Sequence, residues 1–184
     1  MNDGPALLLV DLQSAAFGGF GIPAAHQADL LLRNASALLE EARASGVPVV
    51  HVQHCAAPGE AFAEGAPGWP IAPRLRPAVS ERVVQKRASN AFEGTDLHAV
   101  LQGLDAGTVV ITGLQSELCV SATCRGALGL GYTVRLAQDG HSTWPDGARS
   151  AGEIIAAQNE ALEREGVRLS STEDLVAGLR ANNP

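Results

Sequence analysis

The sequence predicts a doubly wound α/β fold: a mostly parallel, six-stranded sheet with helices on both faces, in three layers. Three observations carry this reading. Six short apolar runs of strand length recur along the chain, segments of helical periodicity separate them, and several of the runs are apolar on consecutive residues, as strands covered on both faces are. With 184 residues, 46% of them hydrophobic, there is material for one well-buried core, so residues 1–184 read as a single domain.

The first strand is Ala6–Val10, wholly aliphatic. Leu31, Ala35, Leu38 and Ala42 then step by four, three and four, an amphipathic helix that Gly46 stops. Val47–Val52, Arg82–Val84 and Thr108–Thr112 are the next three strands. The segment after Gly113 opens a helix with Cys119 near its start, and Thr133–Ala137 is the fifth strand. Ala151, Ile154, Ile155, Gln158 and Leu162 repeat the helical pattern, with Ser150 and Glu153 spaced as a capping box. Val167–Leu169 is the sixth strand, and Ser171 precedes a closing helical set, Leu175–Leu179.

In open α/β sheets ligands sit beyond the carboxyl ends of the strands. The loops to inspect therefore begin near Asp11, at His51 to Cys55, near Lys86, at Gly113 to Cys119 and at Asp139. A net charge of −7 with no basic cluster excludes a nucleic-acid surface and disfavours a membrane surface. The opening MNDGPALLLVDLQ has no basic n-region and too short an apolar run for a signal or a span, so the chain reads as cytoplasmic. Three cysteines, Cys55, Cys119 and Cys124, make neither a disulfide framework nor a zinc set, which leaves thiol chemistry.

Three groups stand out. Asp11 ends an aliphatic strand, where partial burial lifts a carboxyl toward the range of a general base; the plain alternative is a turn residue. Lys86 is the one lysine among 13 basic side chains, the others all arginine, which suggests a site needing a compact ammonium; chance is the alternative. Cys119 at a helix start has backbone N–H groups and the positive end of the dipole to favour thiolate and to receive an oxyanion, although a structural cysteine is an equal reading from the residue alone. Convergence lifts all three, because each falls at a strand's carboxyl end in one sheet.

These residues sit in longer matches: Leu-Leu-Leu-Val-Asp11-Leu-Gln13; Lys86 followed by Ser89-Asn-Ala-Phe92; Gly113-Leu-Gln-Ser-Glu-Leu-Cys119-Val-Ser-Ala-Thr-Cys-Arg125; and Asp139-Gly-His-Ser-Thr143. Across nearly its whole length the chain resembles the isochorismatase-like cysteine hydrolases, a family that includes nicotinamidases and N-carbamoylsarcosine amidases. The resemblance implies a catalytic triad of Asp11, Lys86 and Cys119. It also implies a non-proline cis peptide between Leu114 and Gln115, an oxyanion hole of the Gln115 and Cys119 backbone N–H groups, and a homo-oligomer, dimer or tetramer. The chemistry implied is hydrolysis of a C–N bond in a small amide, imide, lactam or ureido compound through a Cys119 thioester. Vinyl-ether hydrolysis of the isochorismatase type and metabolite binding without turnover stay open as alternatives.

Nicotinamidases carry an Asp-x-His pair and a further His after the second strand. This chain reads His51-Val-Gln-His54-Cys55, so the ligand spacing is absent and neither metal nor other cofactor is expected. The expected partner is a small-molecule substrate. Its binding is assigned to Gln13, Phe17, His54, Trp69 and Phe92: six of the seven aromatics fall in strand-to-helix loops, and a pocket tryptophan recurs at the Trp69 loop in nicotinamidases. The loops that select substrate are Phe17–Pro23 and Cys55–Pro73.

Overall fold

Strands β1 (Gly4–Val10), β2 (Val49–His54), β3 (Arg82–Lys86), β4 (Ala106–Leu114), β5 (Thr133–Ser142) and β6 (Arg168–Ser170) lie in the order β3-β2-β1-β4-β5-β6. Every pairing is parallel. The computed structural model describes residues 4–181. Among the described residues four α-helices lie between strands, α1 (Ala28–Ala44), α2 (Leu97–Gly103), α3 (Ser121–Gly129) and α4 (Ala151–Arg164), and α5 (Thr172–Ala181) follows β6. No described helix is long and apolar enough to cross a membrane.

The consecutive apolar residues of the strands do what two-sided burial requires. Leu8 and Val10 of β1, with Val50, Val52 and Ile111, pack under α2, α3 and α4 through Leu97, Leu101, Cys124, Ala127 and Leu162. Leu7 and Leu9, with Val49, Val110 and Ala137, pack on the other face under α1 and α5 through Leu31, Leu38, Leu175 and Leu179. Alternate residues of one strand thus serve two cores. Each fully buried aliphatic side chain contributes about 1.5–3 kcal/mol, so the sheet rather than any one helix carries the fold.

The ends of the elements are set by local chemistry. Gly46, just past α1, has φ of +66°, a left-handed turn that glycine adopts without steric cost. At α4 the capping box is formed: Ser150 Oγ accepts from the Glu153 N–H, and Glu153 Oε2 accepts from the Ser150 N–H at 2.8 Å. The short helix α2 has no counterpart in the sequence reading; its seven residues bury Leu97 and Leu101 only, too few to show a period. Five strands also run further than expected: β2 to His54, β3 to Lys86, β4 to Leu114, β5 to Ser142 and β6 to Ser170. Polar residues end all of these but β4, and the tips of β2 and β3 meet side chain to side chain through His54 and Lys86.

The two halves of the sheet diverge between β1 and β4, the switch point at which such sheets bind ligands. Gly113, beside Val10, has φ of +142°, and a Cβ there would overlap the Val10 carbonyl oxygen, which is backbone and cannot yield. Gly113→Ala is expected to fail to fold or to lose several kcal/mol, checked by expression and denaturant melts. Ser150→Ala should cost about 1 kcal/mol and lower the melting temperature by about 2–4 °C, leaving the site intact.

Candidate active site

Asp11 follows β1 in a left-handed conformation, φ +53°, with its N–H bonded to the Val52 carbonyl at 2.9 Å. Aspartate tolerates this backbone region better than most side chains. Lys86 closes β3, opposite His54 in the parallel register. Because β2 separates β3 from β1, and strands lie about 4.8 Å apart, only a long side chain reaches from β3 to the end of β1. Lys86 does so along a path that is 2% exposed. Its ammonium lies 2.8 Å from Asp11 Oδ2, 3.1 Å from Cys119 Sγ and 3.1 Å from the Ala88 carbonyl. An ammonium has three protons to donate, and these are its three nearest acceptors, with His54 Nδ1 further out at 3.5 Å. A planar guanidinium at the same place would not converge on all three, which gives the lone lysine its physical reason.

Cys119 lies in a widened, π-helical turn, Ser116–Val120, that precedes α3; its closing bond runs from the Val120 N–H to the Gln115 carbonyl. The peptide before this turn, Leu114–Gln115, is cis. The nucleophile candidate therefore sits just ahead of the regular helix instead of in its first turn. Cys124 is fully buried inside α3 and its thiol is pushed up to about 12 by burial, so it is inert. Cys55 is also buried, its N–H bonded to the Lys86 carbonyl at 2.8 Å.

The electrostatics correct one expectation. Helix dipole and ammonium were expected to favour thiolate, yet burial, reinforced by the Asp11 carboxylate, pushes Cys119 up to about 11 against the pull of Lys86. At neutral pH the resting group is a thiol. Burial also raises Asp11 above the usual carboxylate range, although Lys86 opposes this. Desolvation works against the Lys86 ammonium, but Asp11 and Cys119 outweigh it and its pKa rises. The resting site is a buried Asp11–Lys86 ion pair beside a neutral thiol. Asp11 Oδ1 is buried with no hydrogen-bond partner among the described residues.

Other candidates fall differently. Gln13 is fully buried, and its amide is spent on backbone: Nε2 donates to the His54 and Trp69 carbonyls at 3.0 and 2.8 Å, and Oε1 accepts from the His54 N–H at 2.9 Å. Through the Trp69 carbonyl it latches the β1 end to the Cys55–Pro73 loop, with both amide protons in use. His54 Nδ1 lies 3.5 Å from the Lys86 ammonium, and burial lowers the His54 pKa. His51, three positions earlier on the strand, is buried and meets Glu81 at 3.0 Å, so the two histidines diverge. Among the described residues no group of three or more His, Cys, Asp and Glu is gathered as a metal centre.

The aromatics fall in several places. Phe92 stacks on Tyr132 with ring centroids 6.0 Å apart and packs on the core, and Phe17 packs on the core of the other face. Trp69 keeps its ring N–H buried without a hydrogen-bond partner among the described residues, and its carbonyl accepts from Gln13 and Gln53. A cleft of about 630 Å³ is walled by Phe20, Ile22, Phe62 and Trp144, and Glu60 and Gln115, the first residue after the cis bond, also line it. Three of these wall residues lie in the two loops expected to select substrate. Periodicity gives no means of telling which aromatic of a loop turns inward. Sequence reasoning also missed His141, whose ring joins Ser116 of the Cys119 turn to Asn159 of α4; its place in the Asp139–Thr143 match was the one available signal.

Residues 5–172 match the isochorismatase domain. A streptothricin hydrolase from Streptomyces noursei is 40% identical over 139 residues, covering 76% of this chain and 54% of the relative. The chain thus spans about half the length of the streptothricin hydrolases it matches. Among solved structures, an isochorismatase from Pseudomonas putida KT2440 superposes with a TM-score of 0.87 at 28% identity, covering 94% of this chain and 90% of that one. N-carbamoylsarcosine amidase from Thermoplasma acidophilum superposes with a TM-score of 0.79 at 25% identity, covering 92% and 96%. With its six parallel strands, its strand-end site and a sequence match over most of its length, the chain belongs to the isochorismatase family.

Proposed function

We propose that this protein is a cysteine hydrolase that cleaves a C–N bond of a small amide, imide, lactam or ureido compound. The observation that carries the reading is the buried Lys86 ammonium, in contact at once with Asp11 and with Cys119. A protein that only binds a metabolite has no use for a thiol held between a base and a cation. The names of two relatives, a streptothricin hydrolase and an N-carbamoylsarcosine amidase, point to the same class of reaction.

In the proposed mechanism the substrate carbonyl enters from the cleft that Gln115 lines. Asp11 takes the thiol proton as the Cys119 sulfur attacks the carbonyl carbon, forming the C–S bond and a tetrahedral oxyanion. The backbone N–H groups of Gln115 and Cys119 receive that oxyanion. Collapse breaks the C–N bond, and Asp11 returns its proton to the leaving nitrogen. Water then attacks the thioester with Asp11 again as base, releasing the acid and restoring the thiol. One amide and one water give one acid and one amine. Lys86 stays protonated throughout and offsets the negative charge as it passes between sulfur and carboxylate. Starting from a neutral thiol suits this cycle, because the proton needed by the leaving nitrogen is already in the site.

Screening for ammonia or amine release over small amides, lactams and ureido compounds should give a hit that Cys119→Ala reduces by at least about 10³-fold without loss of folding. Turnover that survives this substitution would overturn the assignment and favour acid-catalysed chemistry. Iodoacetamide should label Cys119 ahead of Cys55 and Cys124, its rate still climbing as pH approaches about 11; preferential labelling of Cys124 is the contrary result. Asp11 works as a base only when ionised, and burial raises its pKa. The acid limb of kcat/KM should therefore lie above the ordinary aspartate value of about 3.9; a limb at or below it means that another group is the base.

A further inference from the structure

Between its two ends β5 changes register with β4: Leu136 faces Ile111, but His141 faces Gly113, so the residues between are looped out. Gly140 lies in this irregularity, where an added Cβ would stand 2.6 Å from Ala137 Cβ and 3.0 Å from Thr112 Oγ1. The result is that the buried His141 ring stands against the tip of β4. Its Nδ1 is 2.8 Å from Ser116 Oγ and its Nε2 2.9 Å from Asn159 Oδ1. Asn159 Nδ2 in turn donates to the Gln138 carbonyl at 3.1 Å.

Serine, histidine and asparagine in this order have the form of a hydrolytic triad, but Ser116 is fully buried, so it is no second nucleophile. Its place is structural: Ser116 opens the turn that holds Cys119. The chain of bonds has only one consistent direction. The Gln138 carbonyl can only accept, so the Asn159 nitrogen faces it and the Asn159 oxygen faces His141. That oxygen requires a proton on Nε2. The neutral ring then presents a lone pair at Nδ1, to which the Ser116 hydroxyl donates. A backbone carbonyl of the looped-out segment thus dictates, through two side chains, where the Ser116 proton points.

We propose that His141 and Asn159 are positioning residues that hold the Cys119 turn through Ser116. Burial lowers the His141 pKa and keeps the ring neutral, in keeping with this direction. The groups bearing on the ring are Ser116 from the turn, Asn159 from α4 and, electrostatically, Asp139 from β5 itself, whose carboxylate is taken up by the Thr172 N–H and hydroxyl at 2.8 Å. The inference rests on Cys119 as the nucleophile of the proposed reaction.

Two amide substitutions separate positioning from packing. The functional atoms of asparagine stand near the place of Nδ1, and those of glutamine near Nε2. His141→Asn therefore keeps an acceptor for Ser116 and gives up Asn159, whereas His141→Gln does the reverse. With iodoacetamide as the probe and peptide mass as the readout, His141→Gln should change the Cys119 alkylation rate about tenfold or more, with His141→Asn staying within about threefold of the parent. Equal effects in both variants, or no effect in either, would overturn the inference. Should His141→Gln not fold, Asn159→Asp decides. A carboxylate beside Nε2 raises the His141 pKa and, once the ring is charged, reverses the Ser116 bond. Its alkylation profile should then gain an inflection that the parent lacks; a profile superimposable on the parent's refutes the role. Cys119→Ala, run in the amide screen, tests the nucleophile separately: activity surviving there removes the premise, whatever the His141 variants do.

Discussion

A cation buried at the tip of a parallel sheet is expensive to keep, and the arrangement around Lys86 is largely the means of keeping it. Desolvating an ammonium costs several kcal/mol, and removing the partner of a buried pair costs about 3–5 kcal/mol. Asp11 supplies the opposite charge, the Ala88 carbonyl a second acceptor and the Cys119 sulfur a third. Each acceptor comes from a different stretch of chain: the end of β1, the segment after β3, and the turn after β4. The ion pair therefore fixes the relative positions of three loops that have no direct backbone pairing with one another. Electrostatics and architecture share one constraint here, because the same contacts that satisfy the ammonium bring the Asp11 carboxylate and the Cys119 thiol together.

The same burial sets the starting protonation state. Exposed cysteine beside a cation would favour thiolate; here the loss of water, together with a neighbouring carboxylate, dominates, and the sulfur keeps its proton. The site is thus poised by exclusion of solvent more than by the dipole of α3, which begins two residues beyond Cys119. A charge balance of this kind is sensitive to its surroundings, since displacing water beside Asp11 and Cys119 changes the desolvation on which both depend.

Much of this was legible in the sequence because it rests on short-range patterns. Consecutive aliphatic residues at Ala6–Val10 required a strand covered on both faces, and the structure buries alternate residues in two cores. Asp11, Lys86 and Cys119 were visible because they interrupt or terminate such runs with a charge or a thiol. What escaped depends on three-dimensional accounting. Gln13 reads as a polar side chain near a pocket, and only the structure shows that backbone groups of another loop consume its amide. Phe92 and Phe20 look alike as loop aromatics, yet one stacks on Tyr132 and the other lines the cleft. The helix-end preference for thiolate was sound for an exposed cysteine, and burial reversed it. His141 escaped because its importance depends on a register change in β5 that no periodicity announces.

The Gln13 latch has a consequence for how such a protein changes over time. All three of its bonds go to main-chain groups, at His54 and Trp69. Main-chain groups are present whatever side chains the Cys55–Pro73 loop carries, so mutation can exchange those side chains, Phe62 of the cleft wall among them, while the loop stays anchored to β1. The loop that supplies part of the cleft wall is thereby fastened by bonds indifferent to its own side chains. Its surface can be rewritten without disturbing the Asp11–Lys86 ion pair, which separates the upkeep of the strand-end cluster from the shape of the cleft.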